Sequence, residues 1–345
     1  MNEDEKYMRR CIQLAGNGLC TTSPNPMVGA VIVCDGKIIG EGYHIRSGEG
    51  HAEVNAVRSV KDPSLLSRST IYVSLEPCSH YGKTPPCADM LIEKGLPRIV
   101  IGCEDPFAKV HGRGIKKLID AGREVKVGVL EEECKNLIRR FVTFNTLHRP
   151  YITLKWAESA DGYIASTQGK AMISTPKSIM LVHKRRAEHE AIMVGRETAL
   201  VDNPTLTTRF WQGKNPIRVV TDRNLVLPDT LHLFDGSVRT LVFTTKYHIN
   251  KENLEYIVLP EADYNLPRFM QELALRGIQS LLVEGGAKLH QSFIDADLWD
   301  EAYIEKGDIV LGDGVAAAHF NRLKSIEKQY IFGVEVQKMI HSDSH

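Results

Sequence analysis

Apolar residues recur along this chain with two alternating periods. Residues 3–15 set Tyr7, Met8, Cys11, Leu14 and Ala15 at helical spacing. Asn2 followed by Glu5 matches a capping box, and Gly16 and Gly18 supply the stop. GAVIV and KIIGEGYH flank Asp35-Gly36, which predicts a hairpin. HAEVNAVRSV reads as a helix, TIYVSLE as a β-branched strand, CADMLIEKG as a helix ended by Gly95, and RIVIGCE as a strand. GIKKLIDAG and REVKVGVL repeat the helix-then-strand order, so the alternation predicts a sheet with helices on its faces.

Residues 131–147 read as one helix, followed by a break at His148-Arg149-Pro150 and a fresh α/β series. In that series YITLKWA, AIMVG, IRVVTD, RTLVFTT, LEYIVLP and SLLVEGG read as strands. SIMLVHKRRAE and residues 266–277 read as helices. The expected domains are therefore 1–147 and 148–345. The boundary rests on the restart of alternation rather than on a flexible linker, and the chain holds no internal repeat or low-complexity segment.

Composition narrows the class. The 345 residues exceed one ordinary core, and 43% hydrophobic with 25% charged residues is a globular balance. Lys plus Arg and Asp plus Glu number 43 each, so the formal net charge is zero, without the basic excess of a dedicated nucleic-acid binder. The opening MNEDEKYMRRC is not a secretory signal, and no run of eighteen apolar residues predicts a membrane span. A cytoplasmic protein is expected. Its seven cysteines, odd in number and irregularly spaced, are expected to be free thiols or metal ligands.

The candidate chemistry concentrates in three places. His51-Ala52-Glu53 opens a predicted helix, Pro77-Cys78 ends a predicted strand, and Cys87 opens the next helix. One imidazole and two thiolates make a three-ligand zinc site with its fourth position left for water, whose pKa zinc brings near neutrality. Glu53, close to His51 and not itself a ligand, can carry a proton from water to a leaving amine. H-x-E with P-C and a later Cys is a signature of zinc nucleobase deaminases. Here eight residues, SHYGKTPP, separate Cys78 from Cys87, and Lys83 at the tip of that loop can meet an anion. Singly, each motif is common. A structural zinc would need a fourth ligand, for which His80 is the near candidate. Asn25 in PNP, His44 and Ser47 lie upstream of the zinc helix as a plausible substrate wall, or as plain turn residues. DPFAKVHGRG, residues 105–114, reads as a pocket cover or an exposed connection.

In the second half, Gly285 and Gly286 stand between a strand and a helix, where backbone N–H groups can receive a phosphate. No G-x-G-x-x-G follows an early strand, so the ordinary Rossmann fingerprint is absent. Lys155 inside ITLKWA is costly unless it faces a site. Arg186 and Arg209 could fork onto a phosphate, but taken alone read as solvated surface arginines. Asp202, before Asn203-Pro204, reads as a cap as readily as a site residue.

HAE, LEPCSHYGKTPPC, TLKWAESADGYIA, AIMVGRETALVDNPTLTTR and LLVEGGAKL together resemble the bifunctional deaminase–reductases of riboflavin biosynthesis, over roughly residues 3–315. The resemblance implies an α/β chain with an N-terminal cytidine-deaminase-like three-layer domain and a C-terminal dihydrofolate-reductase-like domain. It implies zinc-dependent hydrolytic deamination of a diamino-hydroxy-phosphoribosylamino-pyrimidine. Reduction of the ribosyl chain to ribityl by NADPH would follow. His51, Cys78 and Cys87 would then hold zinc and Glu53 would move the proton. Asn25, His44, Ser47, Lys83 and Asp105 would touch the pyrimidine or its phosphate. Lys155, Ala171, Arg186, Leu206, Arg209 and Glu284 would line the reductase substrate. Ala157, Ile173, Thr198, Thr221 and Gly286 would line NADPH. Asp202 would line the substrate or NADPH, and it or Lys155 would give the proton of the reduction.

Three departures from the family pattern stand out: Phe107-Ala108 after Asp105-Pro106 where DPNP is usual, Glu158-Ser159-Ala160-Asp161-Gly162 where A-S-L-D-G is usual, and Met172 before Ile173-Ser174 where Trp is frequent. Two other classes compete: a nucleoside or tRNA-base deaminase with an accessory domain, and a zinc-stabilised interaction module without turnover. The partner expected is a small molecule, with neither nucleic acid nor membrane, and a homo-oligomer is left open.

Overall fold

The strand Gly29–Cys34 is buried at every position, so its two faces each need a covering layer. Its partners supply the rest of a five-stranded sheet in the order Lys37–Tyr43, Gly29–Cys34, Thr70–Leu75, Arg98–Cys103, Glu124–Val127. The first three strands pair antiparallel and the last three parallel. In this computed structural model, which describes residues 2–81, 85–105, 112–167, 169, 171–320 and 322–342, the chain divides into two units, one up to Leu147 and one from His148.

In the first unit the period-two alternation decides the layers. Val31, Val33, Tyr72 and Val100 pack with Tyr7, Met8, Cys11 and Cys134 from helices Glu3–Ala15 and Glu131–Leu137. Ala30, Ile32, Ile71, Val73 and Ile101 pack with Ala52, Ala56, Ala88, Leu91 and Leu118 from helices Ala52–Ser59, Cys87–Glu93 and Arg113–Asp120. Each fully buried aliphatic contributes about 1.5–3 kcal/mol. The expected hairpin is present, with Cys34 opposite Lys37 and positive φ at both Asp35 (48°) and Gly36 (72°), the primed turn that matches strand twist. The Asn2–Glu5 capping box also forms. The helix expected over 131–147 is instead two, Glu131–Leu137 and Arg139–Leu147. The turn tightens at Ile138, whose N–H bonds Lys135, so that this buried side chain reaches the core beside Cys134.

The second unit carries a nine-stranded sheet in the order Leu254–Val258, Thr240–Thr244, Ile217–Thr221, Ala191–Val194, Ser280–Val283, Tyr151–Glu158, Glu301–Lys306, Val334–Ile340, Ser325–Ile331. The first seven run parallel and the last two add antiparallel. Near-continuous burial of ITL, AIMV and SLLV is what a parallel sheet covered on both faces requires. A small ribbon pairs Tyr163–Ser166 with Gly314–Ala316. At the base of the unit Arg149 grips Asp300 with two hydrogen bonds of 2.6 and 2.9 Å, and Asp300 also takes the Ile152 N–H at 2.7 Å. That buried pair holds the first strand against the seventh.

Candidate active sites

The zinc-type cluster of the first unit is assembled by two local devices. Gly40 and Gly42 in KIIGEGY present bare backbone to the helix Ala52–Ser59. A Cβ at Gly42 would lie 2.3 Å from the Ala56 nitrogen, so only glycine lets this helix approach. Asn55 ties the helix start down, its amide donating to the carbonyls of Tyr43 (2.9 Å) and Gly50 (3.1 Å). His51 is thereby fixed at the N-cap, and Glu53 falls in the first turn, only 3% exposed. On the other side, Cys78 follows the carboxyl end of Thr70–Leu75 and Cys87 opens its own helix. The Ala88 N–H bonds the Cys78 carbonyl at 3.1 Å, and the Cys87 N–H points at the Cys78 sulfur at 3.3 Å.

His51 Nδ1 lies 3.5 Å from Cys78 Sγ and 3.4 Å from Cys87 Sγ. For Zn–N of about 2.05 Å and Zn–S of about 2.3 Å, a tetrahedral edge is roughly 3.6 Å, so the donor set fits zinc in both chemistry and size. Among the described residues these three form the group, and His80 is exposed and outside it. Donation from Cys87, with His51 behind it, holds the Cys78 thiol well below its usual range, towards the thiolate that a metal needs. Burial, reinforced by the Cys78 charge, pushes Glu53 up to about 7, where a carboxyl can both take and give a proton.

His44 stands edge-on to His51, ring centroids 5.4 Å apart. Its Nε2 faces the Asn25 amide at 3.1 Å and its Nδ1 faces the Gly50 carbonyl at 3.1 Å, while burial lowers its pKa, so it is a neutral ring with its hydrogen on Nδ1. Asn25 and His44 thus join the cluster. Ser47 is half-buried in the neighbouring loop, its N–H on the Thr21 carbonyl at 3.4 Å. Asp105 is buried beyond the carboxyl end of Arg98–Cys103. Lys83, and Phe107 with its replacement of the usual Asn, lie outside the described residues.

Glu76 was not singled out from the sequence, although it stands inside LEPC. Its buried carboxylate accepts backbone N–H bonds from Asp105 (3.3 Å), Gly112 (3.0 Å), Gly114 (2.8 Å) and Ile115 (3.3 Å). Gly114 meanwhile runs so close that a Cβ there would lie 2.1 Å from the Pro77 carbonyl oxygen. Glu76 therefore clamps the start of helix Arg113–Asp120 and Asp105 to the segment carrying Cys78. The signal available was an acidic residue in an otherwise apolar strand end, where burial demands partners.

In the second unit a cavity of about 970 Å³ opens over the carboxyl ends of four neighbouring parallel strands. It gathers Lys155, Ala157, Ala171, Ile173, Thr198 and Asp202, and also Thr221, Glu284 and Gly286. Burial depresses the Lys155 ammonium. Glu284 is kept ionised, since Arg186, Lys155 and His183 outweigh its burial. Arg186 is no surface arginine. It forks onto Glu284 at 2.6 and 3.1 Å and reaches the Thr207 carbonyl at 3.3 Å, because a buried carboxylate at a strand end needs a paired charge. Arg209 is exposed, and its backbone N–H bonds His183 Nδ1 at 2.9 Å. Leu206 turns its side chain into the core with φ at 53°, so only its backbone is available to a ligand. The Gly286 N–H is taken by Thr198 Oγ1 at 3.0 Å, and Ala287 and Lys288, the first two residues of helix Ala287–Asp295, whose N–H groups have no partner within the helix, line the cavity. Met172, where Trp is frequent, lines the cavity and is largely exposed. Asp161 of the ESADG run accepts the Leu311 and Gly312 N–H groups at 3.1 and 2.7 Å, fastening that loop rather than meeting a ligand.

Two family models match the chain: the cytidine and deoxycytidylate deaminase zinc-binding region over residues 1–103, and the RibD C-terminal domain over residues 150–331. The riboflavin biosynthesis protein RibD of Bacillus amyloliquefaciens is 39% identical over 323 residues, covering 91% of this chain and 86% of the relative. That of Aquifex aeolicus is 38% identical over 331 residues, covering 94% and 92%. Among solved structures, a diaminohydroxyphosphoribosylaminopyrimidine deaminase/5-amino-6-(5-phosphoribosylamino)uracil reductase from Thermotoga maritima aligns with a TM-score of 0.89 at 36% identity, over 98% of this chain and 99% of that one. Acinetobacter baumannii RibD aligns at 0.86 with 31% identity, over 99% of each. The N-terminal unit has the cytidine-deaminase-like fold and the C-terminal unit the dihydrofolate-reductase-like fold of the RibD reductase domain.

Proposed function

The chain belongs to the RibD family, the bifunctional deaminase–reductases of riboflavin biosynthesis, and from that premise we propose how its own residues divide the work. It is a zinc-dependent deaminase and an NADPH-dependent reductase. The nucleoside or tRNA-base deaminase and the non-catalytic zinc module are not favoured. The single observation that carries the assignment of the first site is the His51–Cys78–Cys87 cluster with a buried Glu53 beside it.

His51 Nδ1 and the two thiolates would hold zinc, which when bound would supply Lewis-acid activation of a water. Glu53 takes a proton on its carboxylate and returns it to the nitrogen of the leaving amine, a task suited to a carboxyl raised to about 7 by burial. Asn25, His44, Ser47, Lys83 and Asp105 bind the pyrimidine and its phosphate. The neutral His44, held by Gly50, serves as an orienting wall rather than a charge.

In the second site NADPH supplies the hydride. Ala157, Ile173, Thr198, Thr221 and Gly286, with Asp202, bind that cofactor. Lys155, Ala171, Arg186, Leu206, Arg209 and Glu284 bind the ribosyl substrate, Leu206 through its backbone. Lys155, depressed by burial and set beside Glu284, gives the proton that accompanies hydride transfer. The reading extends to a cytoplasmic enzyme of a small molecule rather than of nucleic acid, in line with the zero net charge. Among the described residues no helix is long and apolar enough to cross a membrane. The edge strand Ser325–Ile331, exposed at five central positions, favours a homo-oligomer, which sedimentation checks.

The test is an assay of ammonia release and NADPH oxidation on the phosphoribosylaminopyrimidine. Ammonia should appear without NADPH, and oxidation only after deamination. Ammonia from cytidine or adenosine but none from that pyrimidine would reverse the substrate assignment.

A further inference from the structure

NADH and NADPH differ by one phosphate on the adenosine ribose. An enzyme that prefers NADH commonly offers an acidic side chain to the ribose 2′-hydroxyl, whereas an arginine accommodates the 2′-phosphate. Both residue types follow the carboxyl end of Ile217–Thr221, and the structure separates them: Arg223 lines the cavity of the second unit and Asp222 does not. Asp222, the acidic residue at that strand end, is buried, and both its oxygens are consumed inside the chain, by the N–H groups of Val226 (3.0 Å) and Leu227 (2.9 Å). Buried at 2% exposure and held by those two N–H groups, its carboxylate is not offered to a ribose hydroxyl.

The next residue, Arg223, lines the cavity instead, and so do Arg196 and Tyr264. The Arg223 guanidinium lies 5.3 Å from the Tyr264 ring centroid, and both arginines act electrostatically on the Tyr264 hydroxyl, which places the three together. Arg196 is exposed at the first position of helix Arg196–Asp202 and has no ion-pair partner among the described residues. The partner of Arg223 is Glu261, and both side chains of that pair are largely exposed, so the bond is weak and exchangeable.

This end is also the right distance from the chemistry. Ile217–Thr221 is three strands from Tyr151–Glu158, which bears Lys155 and Ala157. At roughly 4.8 Å per strand the cavity spans about 14 Å between its two ends. Ala287 and Lys288, at the start of their helix, line the same cavity, and a helix start is where backbone N–H groups can take a pyrophosphate.

We propose that Arg223 and Arg196 form a guanidinium clamp for the 2′-phosphate of NADPH, with Arg223 exchanging Glu261 for the phosphate, and that this clamp sets the preference for NADPH over NADH. The proposal rests on the reductase reading given above. Guanidinium forks match a phosphate in geometry and stay charged, so the pair reads the phosphate directly.

The experiment is equilibrium titration of the full chain with NADPH, NADH and adenosine 2′,5′-bisphosphate, by calorimetry, for the wild type and three variants. The wild type should bind NADPH at least tenfold tighter than NADH, and should bind the bisphosphate without any nicotinamide. Arg223→Ala should weaken NADPH and the bisphosphate about tenfold or more while leaving NADH within twofold. Arg196→Ala should do the same to a smaller degree. Glu261→Ala should leave NADPH equal or several-fold tighter. Equal losses for NADPH and NADH in both arginine variants, or weaker NADH binding on removing Glu261, would overturn the clamp. Wild type binding both nucleotides equally sinks the clamp while keeping the reductase; binding neither sinks the reductase reading itself. Arg223 and Arg196 are exposed, so unchanged thermal unfolding of the variants excludes misfolding as a cause.

Discussion

The two sites are built on opposite plans. The zinc cluster takes its donors from 37 consecutive positions, His51 to Cys87, and two helix starts plus the segment after a strand bring both sulfurs within 3.5 Å of His51 Nδ1. The reductase cavity draws on residues from Lys155 to Gly286 and beyond, spread over four parallel strands and the loops and helix starts that follow them. The first site is a compact set of donors that a metal would tie together. The second is a shape, kept by the register of four strands and by one internal ion pair. A short-range site announces itself as a motif, while a long-range site is visible only once the sheet is assembled.

The comparison breaks most sharply under metal removal. Chelation should abolish ammonia release and zinc should restore it, while NADPH affinity of the same sample changes by less than about twofold. Loss of both together would mean that the two plans are not independent. Next comes Glu53→Gln, which should cut deamination about a thousandfold while leaving one zinc per chain by elemental analysis. Deamination at the normal rate would remove Glu53 from the chemistry.

Arg186→Ala probes the other plan. It strands the Glu284 carboxylate in a nearly closed pocket, so denaturant unfolding of the second unit should weaken by about 3 kcal/mol and reductase turnover should fall with it. A change below about 0.5 kcal/mol would show that the ion pair does not hold the cavity. Gly114→Ala tests the clamp by Glu76. The added Cβ must push the Pro77 carbonyl, at a cost of about 1–3 kcal/mol, and weaken zinc in chelator competition. Unaltered zinc affinity would show that the Cys78 segment does not depend on that packing.

The smallest effect is a pH dependence. The hydrogen bond from Arg218 holds the Asp235 carboxyl at about 2, below its ordinary 3.8. Its folded pKa is depressed, so its contribution is fully present above about pH 4 and lost as pH falls towards 2. Asp235 is 37% exposed, so screening limits this to about 1 kcal/mol. Asp235→Asn should flatten acid unfolding by that amount; an unchanged profile would place the acid sensitivity elsewhere.

Much of the fold was legible because burial leaves a period in the sequence. The first-half helices and strands, the Asp35-Gly36 hairpin and the six strands expected in the second half all occur. The segments Glu301–Lys306, Ser325–Ile331 and Val334–Ile340 were not read as strands. Charged residues punctuate EAYIEK, Ser325–Ile331 is exposed at its five central positions, and the buried positions of Val334–Ile340 keep a period of two only over Val-Glu-Val. The break at Ile138 was equally silent, since one tightened turn leaves the helical period intact.

By itself the sequence determined the donor types for zinc, the acid beside them and the order of α/β elements, because those depend on residue identity and near neighbours. Only the tertiary structure decided that Arg186 is buried on Glu284, that Leu206 offers its backbone, that Glu76 clamps the Cys78 segment, and that Asp222 faces inward while Arg223 faces the cavity. Those outcomes turn on which strand ends become neighbours and on which buried charges must find partners. Neither is set by any local run of residues.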